Sequence, residues 1–382
     1  MNRKTILTFL IFWSFWCQSQ SNPIEISILT CAPGQDIYSI YGHNAIRILD
    51  KNTGSDMVYN YGTFDFKTKG FAIKFMLGKL PYTLDVAPYD RFLMEYDYFQ
   101  RAVNEQVLHL DSTQTQSVIS YLAKNMQPEN RTYKYDFFMD NCATRLRDII
   151  DKNIANNTWD TTQASGKTFR QIIKEYQKPM PWLDFGVDLI IGAPADEVTT
   201  LQEETFIPDY LLQAIQNAKV DSGQKLEKER YNVLNFENKI PQTPFLFTPY
   251  ALFSFLLLFE IWLFFKRETY TWIPKYDRIW IYVLSFCSLL MLFMWLCTDH
   301  IPTKYNWNIL WANPLIIFWY FKAQKNASGK WIYFISWAFL SLALINTIPN
   351  FQILPQYFHP IVAIICLILL IKLTRIQSKN KN

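Results

Sequence analysis

Apolar positions divide the chain into two unlike parts. Before about residue 245 they recur at short intervals among polar residues; after it they form long runs of Phe, Trp, Leu and Ile. In the first part, Glu25–Thr30, Asn44–Leu49 and Met57–Tyr61 alternate in polarity, separated by Pro33-Gly34 and Lys51-Asn52-Thr53-Gly54. That pattern predicts strands joined by a hairpin turn. Asp111–Asn125 has helical spacing behind an Asp or Ser cap, and Arg145–Asn153, Phe169–Tyr176 and Pro208–Ala218 read as further helices. The class is α+β. Gln106–Leu110 alternates like a strand, which makes His109 a structural or surface residue. The charged run Gln224–Arg230 reads as the approach to a linker.

The second part contains five apolar runs: Phe245–Phe265, Ile279–Cys297, Trp307–Phe321, Trp331–Ile348 and Phe358–Ile371. Each approaches the ~20 residues of a membrane-spanning helix, the third and fifth being short. Their flanks differ in basic residues. The first loop has Lys266, Arg267, Lys275 and Arg278, and the second only Lys304. The third has Lys322, Lys325 and Lys330, the fourth has none, and the tail has Lys372, Arg375, Lys379 and Lys381. The alternation places loops one and three and the C-terminus in the cytoplasm, and residues 22–244 outside. The N-terminus agrees: Arg3-Lys4, the apolar run Ile6–Trp16 and a small-residue exit near Ser21 read as a signal peptide. Trp16 before Cys17 argues against a lipoprotein cleavage site. The expected organisation is a signal peptide at 1–21, a periplasmic domain at 22–240 and a five-helix transmembrane domain at 241–382. A multi-pass protein of a bacterial inner membrane fits this plan best.

Composition narrows the class. Of the 382 residues, 50% are apolar, which excludes a purely soluble enzyme and a disordered chain, and six Cys are too few for a disulfide scaffold. A net charge of +4 gives no footprint for nucleic acid. No CxxC, HExxH, phosphate loop or dinucleotide fingerprint occurs, so neither a metal nor a cofactor is expected. The sequence does not specify an oligomeric state.

The candidate chemistry is a thiol. Tyr41-Gly42-His43 opens a predicted strand, and Asp140-Asn141-Cys142 leads into a predicted helix. A Cys at a helix N-terminus has its thiolate favoured by the helix dipole. A His from a neighbouring strand can take the thiol proton. His43 and His109 are the two His of the first part, and His43 is the leading partner. Three other readings stand beside this one: a Cys31–Cys142 disulfide, Cys142 as a small buried hydrophobe, and His43 as a satisfied core residue.

The blocks around these residues resemble the Lnb family. They are Pro33-Gly34 through Tyr41-Gly42-His43-Asn44-Ala45-Ile46-Arg47, Asn60-Tyr61-Gly62-Thr63-Phe64-Asp65, and Phe138-Met139-Asp140-Asn141-Cys142-Ala143-Thr144-Arg145. Thr168-Phe169-Arg170, Pro181–Asp188 and Phe206-Ile207-Pro208 follow in order. The resemblance implies a circularly permuted papain-like domain followed by five membrane helices. It also implies N-acylation of bacterial lipoproteins, an acyl chain passing from a phospholipid through a Cys142 thioester to the N-terminal amine of a lipid-modified lipoprotein. His43 is then the base, and Asn60, with Asp65 as runner-up, the residue that orients it. Arg47 and Arg145 are candidates for a phosphate headgroup, against ordinary ion pairing, and Tyr41 for the oxyanion site. Trp182, Leu183 and Phe185 are candidates for an acyl path, against core packing. Asn308, Asn313 and Asn346 read as polar contacts between helices. A cysteine hydrolase with the same dyad, and a non-enzymatic domain with Cys31 bridged to Cys142, are the competing functions.

Overall fold

The computed structural model describes residues 22–220, 223–237, 240–266, 271–315 and 330–379. The signal peptide, the loop residues Arg267, Lys322 and Lys325, and Lys381 of the tail lie outside the described residues. A seven-stranded antiparallel sheet organises the first part. Its strands are β1 (Ile24–Cys31), β2 (His43–Asp50), β3 (Ser55–Thr63), β4 (Pro81–Pro88), β5 (Val103–Leu108), β6 (Thr132–Lys134) and β7 (Glu227–Leu234). Their spatial order is β6-β4-β3-β2-β1-β5-β7. Central β1 is buried along most of its length because both of its faces are covered. On one face Ile26, Ile28 and Ile46 pack with Val118, Leu122, Leu146, Ile149 and Ile150. On the other, Leu29, Cys31, Ala45 and Val58 pack with Phe92 and Tyr96.

The helices that matter for the site are α1 (Phe71–Met76), α2 (Tyr89–Tyr98), α3 (Ser112–Asn125), α4 (Cys142–Asn153), α5 (Phe169–Gln177), α6 (Pro181–Ile190) and α7 (Pro208–Asn217). The caps explain their starts. Asp111, Asn141 and Thr168 each accept a backbone N–H in a reciprocal capping box.

Two expectations change. Gln224–Arg230 is not linker, because most of it is the start of edge strand β7, paired to β5. Glu227, Lys228, Glu229 and Arg230 suit an edge, where charge discourages further pairing. Alternation hid this strand, because most of β7 is exposed. His109 lies just past the end of β5 and is exposed.

The apolar part supplies α8 (Pro249–Phe265), α9 (Ile273–Cys297), α10 (Lys330–Asn346) and α11 (Ile361–Lys379). Among the described residues, α9 is the one helix long and apolar enough to cross a membrane; the others have shorter apolar stretches. Lys372 pairs with Glu260 at 2.8 Å and with Asp277 at 3.0 Å, tying α11, α8 and α9 together. The third apolar run does not begin as a helix of span length. Trp307–Leu310 is a single 3₁₀ turn, followed by a turn at Trp311-Ala312, and 316–321 lie outside the described residues.

The reason is that this turn docks on the periplasmic domain. Asn306 Nδ2 donates to the carbonyls of Leu189 and Ile190, and Asn308 Nδ2 to that of Asp188 at 3.0 Å. Gly192 N–H donates to Pro302 O at 2.8 Å, and Phe185 packs into the membrane-side core. The expected acyl-path residues therefore divide: Phe185 is packing, and Trp182 Nε1 bonds Phe247 O. Asn346 bonds Gln356 O and the N–H groups of Ile353 and Leu354, closing a loop.

Behind α6, Arg170 is 1% exposed and pairs with Asp188 at 2.7 Å and Asp196 at 2.8 Å. Lys174 bridges Asp184 and Asp188, and His359 reaches Asp184 at 3.3 Å. Asp184, Asp188 and His359 face one another closely enough for a metal ion, but the Lys174 ammonium already sits between the two carboxylates. Two substitutions test this joint by thermal unfolding of the full chain in detergent. Arg170→Ala strands the Asp188 and Asp196 carboxylates and is expected to cost about 3–5 kcal/mol. Gly192→Ala places a Cβ 1.8 Å from Lys304 O, so the domain contact must open and the unfolding temperature must fall.

Candidate active site

The site forms where α4 begins against the ends of β2 and β3. Asn141 caps α4: its Oδ1 accepts from Ala143 N–H at 2.8 Å and Thr144 N–H at 3.0 Å. Its Nδ2 donates to Phe137 O at 2.7 Å and Phe206 O at 2.9 Å, fixing the loop on both sides. Cys142 is thereby the first helical residue, where free N–H groups and the dipole favour an anion.

His43 is the first residue of β2. Its ring hydrogen-bonds the Cys142 thiol, and its Nε2 lies 2.5 Å from Asn60 Oδ1. Asn60 sits on β3, where the β2–β3 and β3–β4 pairing puts it one strand from His43. Asp65 lies beyond the strand and accepts from Lys67 N–H in a turn. So the fold brings together Cys142, His43 and Asn60, and leaves Asp65 outside. Burial by itself would raise the Cys142 thiol. The charge and hydrogen bond of His43, with the N–H groups of Asn44 and Ala143, outweigh it and hold the thiol below its ordinary value. Burial would lower His43, but the Cys142 charge and the bonds to Cys142 and Asn60 raise it above the usual imidazole value. Both shifts favour passage of the thiol proton to His43.

The sequence reading missed Gly62. Its φ is 91°, a region that favours glycine, and a Cβ there would lie 3.6 Å from Cys142 Cβ and 4.0 Å from His43 Cε1. A pairing irregularity between Asn60 and Thr63 bends β3 at this point. A glycine within a strand pattern, as in Asn60-Tyr61-Gly62, is the signal that could have marked it.

The other candidates are engaged elsewhere. Arg47 pairs with Asp56 at 2.6 Å and Glu105 at 2.7 Å and lies 3.6 Å over the Tyr89 ring, the ion pairing that stood as the alternative to a headgroup contact. Arg145 likewise makes a two-pronged pair with Asp140 and lies 3.7 Å over Tyr133. The Tyr41 hydroxyl accepts from Gln177 Nε2 at 2.6 Å, and its ring lies tilted against Phe137. Cys31 and Cys142 are both free thiols. Cys31 is the cross-strand partner of His43, and burial pushes its thiol up to about 12. Two surface cavities of about 590 and 570 Å³ do not include Cys142 in their walls.

The architecture is that of a membrane-anchored protein with a mixed α/β periplasmic domain that presents a Cys–His pair. Residues 15–176 match the Lnb N-terminal periplasmic domain and residues 240–381 match the Lnb transmembrane domain. The chain belongs to the Lnb family, whose domains are those of a membrane lipoprotein-modifying enzyme. No curated protein and no solved structure matches the chain.

The site predicts its own thiol chemistry. Iodoacetamide at neutral pH should alkylate Cys142 and leave Cys31 unmodified, as read by peptide mass analysis. Because the thiol is depressed, alkylation should persist below the pH range of an ordinary thiol. His43→Ala removes the stabilising charge, so the rise in rate should move to higher pH and the neutral rate should fall about tenfold. A rate profile identical to the parent chain's would separate His43 from the thiol.

Proposed function

We propose that this chain is a lipoprotein N-acyltransferase with Cys142 as nucleophile. The observation that carries the reading is the hydrogen-bonded group of Cys142, His43 and Asn60 at a helix start, on a domain packed directly against the apolar helices. Donor and acceptor are both membrane-bound in this reaction, so a site held at the bilayer gains from their local concentration.

His43 holds the proton of Cys142, and the thiolate attacks an ester carbonyl of a phospholipid. Backbone N–H groups at the start of α4 stabilise the tetrahedral oxyanion. The C–O bond breaks, the lysophospholipid oxygen takes the proton from His43, and a thioester remains on Cys142. The N-terminal amine of a lipid-modified lipoprotein then attacks the thioester. His43 accepts the amine proton and returns it to the departing sulfur. Amide formation from a thioester is downhill and needs no nucleotide. Asn60 orients His43 through its Oδ1. Exclusion of water is essential, because hydrolysis of the thioester would release a free acid; Cys142, at 8% exposure, is well shielded.

The order of His strand before Cys helix is that of a circularly permuted papain-like domain. We place the catalytic domain at 22–240 in the periplasm after a signal peptide at 1–21. A five-helix domain at 241–382 would follow in a bacterial inner membrane, with a cytoplasmic C-terminus. Support comes from the loops after α9 and α10. They meet the periplasmic domain and carry few basic residues.

The test is intact-mass analysis of a reporter lipoprotein from a host lacking its own N-acylating enzyme. The parent chain should add one acyl chain to the N-terminal peptide. Cys142→Ser and His43→Ala should each abolish it, and Asn60→Ala should slow it about tenfold or more. Free fatty acid with an unmodified reporter would make the protein a hydrolase. A gain that survives Cys142→Ser would place the chemistry elsewhere.

A further inference from the structure

The segment from Phe64 to Gly78 joins β3 to β4 and carries Phe64, Phe66, Phe71, Ile73, Phe75 and Met76. Helix α1, in its middle, buries none of its residues. Phe66 is 68% exposed, Ile73 61%, Phe75 52% and Met76 41%. Single exposed apolar side chains are ordinary, but a contiguous group marks an interaction surface. Lys67, Lys69, Lys74 and Lys79 punctuate the same stretch, against the single acid Asp65. Aromatic and aliphatic side chains interleaved with lysines match the interface of a bilayer containing anionic lipid.

The segment's height is fixed by the membrane domain. Asp299 N–H donates to Leu77 O at 2.9 Å, and His300 Nε2 donates to Phe75 O at 3.0 Å. Lys134 pairs with Asp299 at 3.3 Å. Gly78, at φ 70°, allows this approach, since a Cβ there would lie 3.3 Å from both Asp299 Cβ and His300 N. Asp299 and His300 follow closely on the end of α9, the helix long enough to span. The backbone of α1 is therefore pinned where a spanning helix leaves the bilayer on the periplasmic side.

An aromatic row leads from this segment to the thiol. Ring centroids are 5.7 Å apart for Phe71 and Phe64, 5.3 Å for Phe64 and Tyr82, and 4.4 Å for Tyr82 and Tyr135. Tyr135 Cε2 and Cys142 Cβ both border Gly62, 3.9 and 3.6 Å from where a Cβ would stand.

We propose that Phe64–Gly78 is a membrane-surface foot. Ile73, Phe75 and Met76 sit among the acyl chains of the outer leaflet, and the lysines meet lipid phosphates. The donor acyl chain reaches Cys142 along Phe64, Tyr82 and Tyr135. The acyl route rests on the acyltransferase reading; the lipid contact does not.

The test uses the full chain in phosphatidylethanolamine–phosphatidylglycerol vesicles, with a benzophenone amino acid in place of Phe75. The control position is Tyr231, exposed on the opposite edge strand of the sheet. Irradiation should give a phospholipid adduct at Phe75 and none at Tyr231, read by peptide mass. No adduct at Phe75, or equal adducts at both, overturns the foot. The double variant Ile73→Asp, Phe75→Asp should lower reporter acylation about tenfold, since it removes two apolar anchors. Its Cys142 alkylation rate should stay at the parent value, which shows an intact fold. Acylation at the parent rate overturns the acyl route. An adduct at Phe75 with no acylation by the parent chain supports the foot and overturns the transferase reading.

Discussion

The site depends on one side chain, the amide of Asn141. Its oxygen caps α4 and its nitrogen holds two carbonyls from separate loops. A weaker cap would let the first helical turn fray, and Cys142 would lose both its electrostatic setting and its position against His43. Because Asn141 is buried, an unmade bond there would also leave a polar group without water. The cap thus positions the thiol, and His43 supplies the charge and hydrogen bond that lower it most.

A second constraint ties this site to the bilayer. The periplasmic domain does not hang from a linker. Backbone groups of its α6 end and the Ile191-Gly192 turn bond the Pro302 carbonyl and the side-chain amides of Asn306, Asn308 and Gln356, and Phe185 enters the membrane-side core. Backbone groups in such a contact accept little adjustment, which is why Gly192 leaves no room for a side chain. Arg170, Lys174, Asp184, Asp188 and Asp196 stiffen α6 from behind. The blocks Thr168-Phe169-Arg170 and Pro181–Asp188, read first as family signatures, are the two sides of this joint. On the other side of the molecule Leu77 and Phe75 meet Asp299 and His300. Two separated contacts fix tilt as well as distance between the domain that carries the thiol and the apolar helices.

Much of this was legible in the sequence, and its limits have a physical pattern. Alternation located β1, β2 and β3 because each buries at least one face. The Asp111 cap located α3 because a cap acts within a few residues of itself, and α4, α5 and α7 were legible as helices from residues close in the chain. Strand β7 was missed because an exposed edge has no buried face to produce a pattern. Residues 307–312 were read as part of a span because composition cannot distinguish burial in lipid from burial against another domain.

The sequence by itself determined the apolar runs, the candidate nucleophile at a capped helix start and the small set of histidines that could serve it. These are local properties, carried by residue type and short-range spacing. Tertiary structure alone decided that Asn60 and not Asp65 lies on His43. It also decided that Arg47 and Arg145 are consumed by carboxylates, and that Cys31 stays a free thiol beside β2. Each of these depends on strand register and on contacts between residues far apart in the chain. A shift of one position in the β2–β3 pairing would change which side chain meets His43, and no periodicity in either strand encodes that choice.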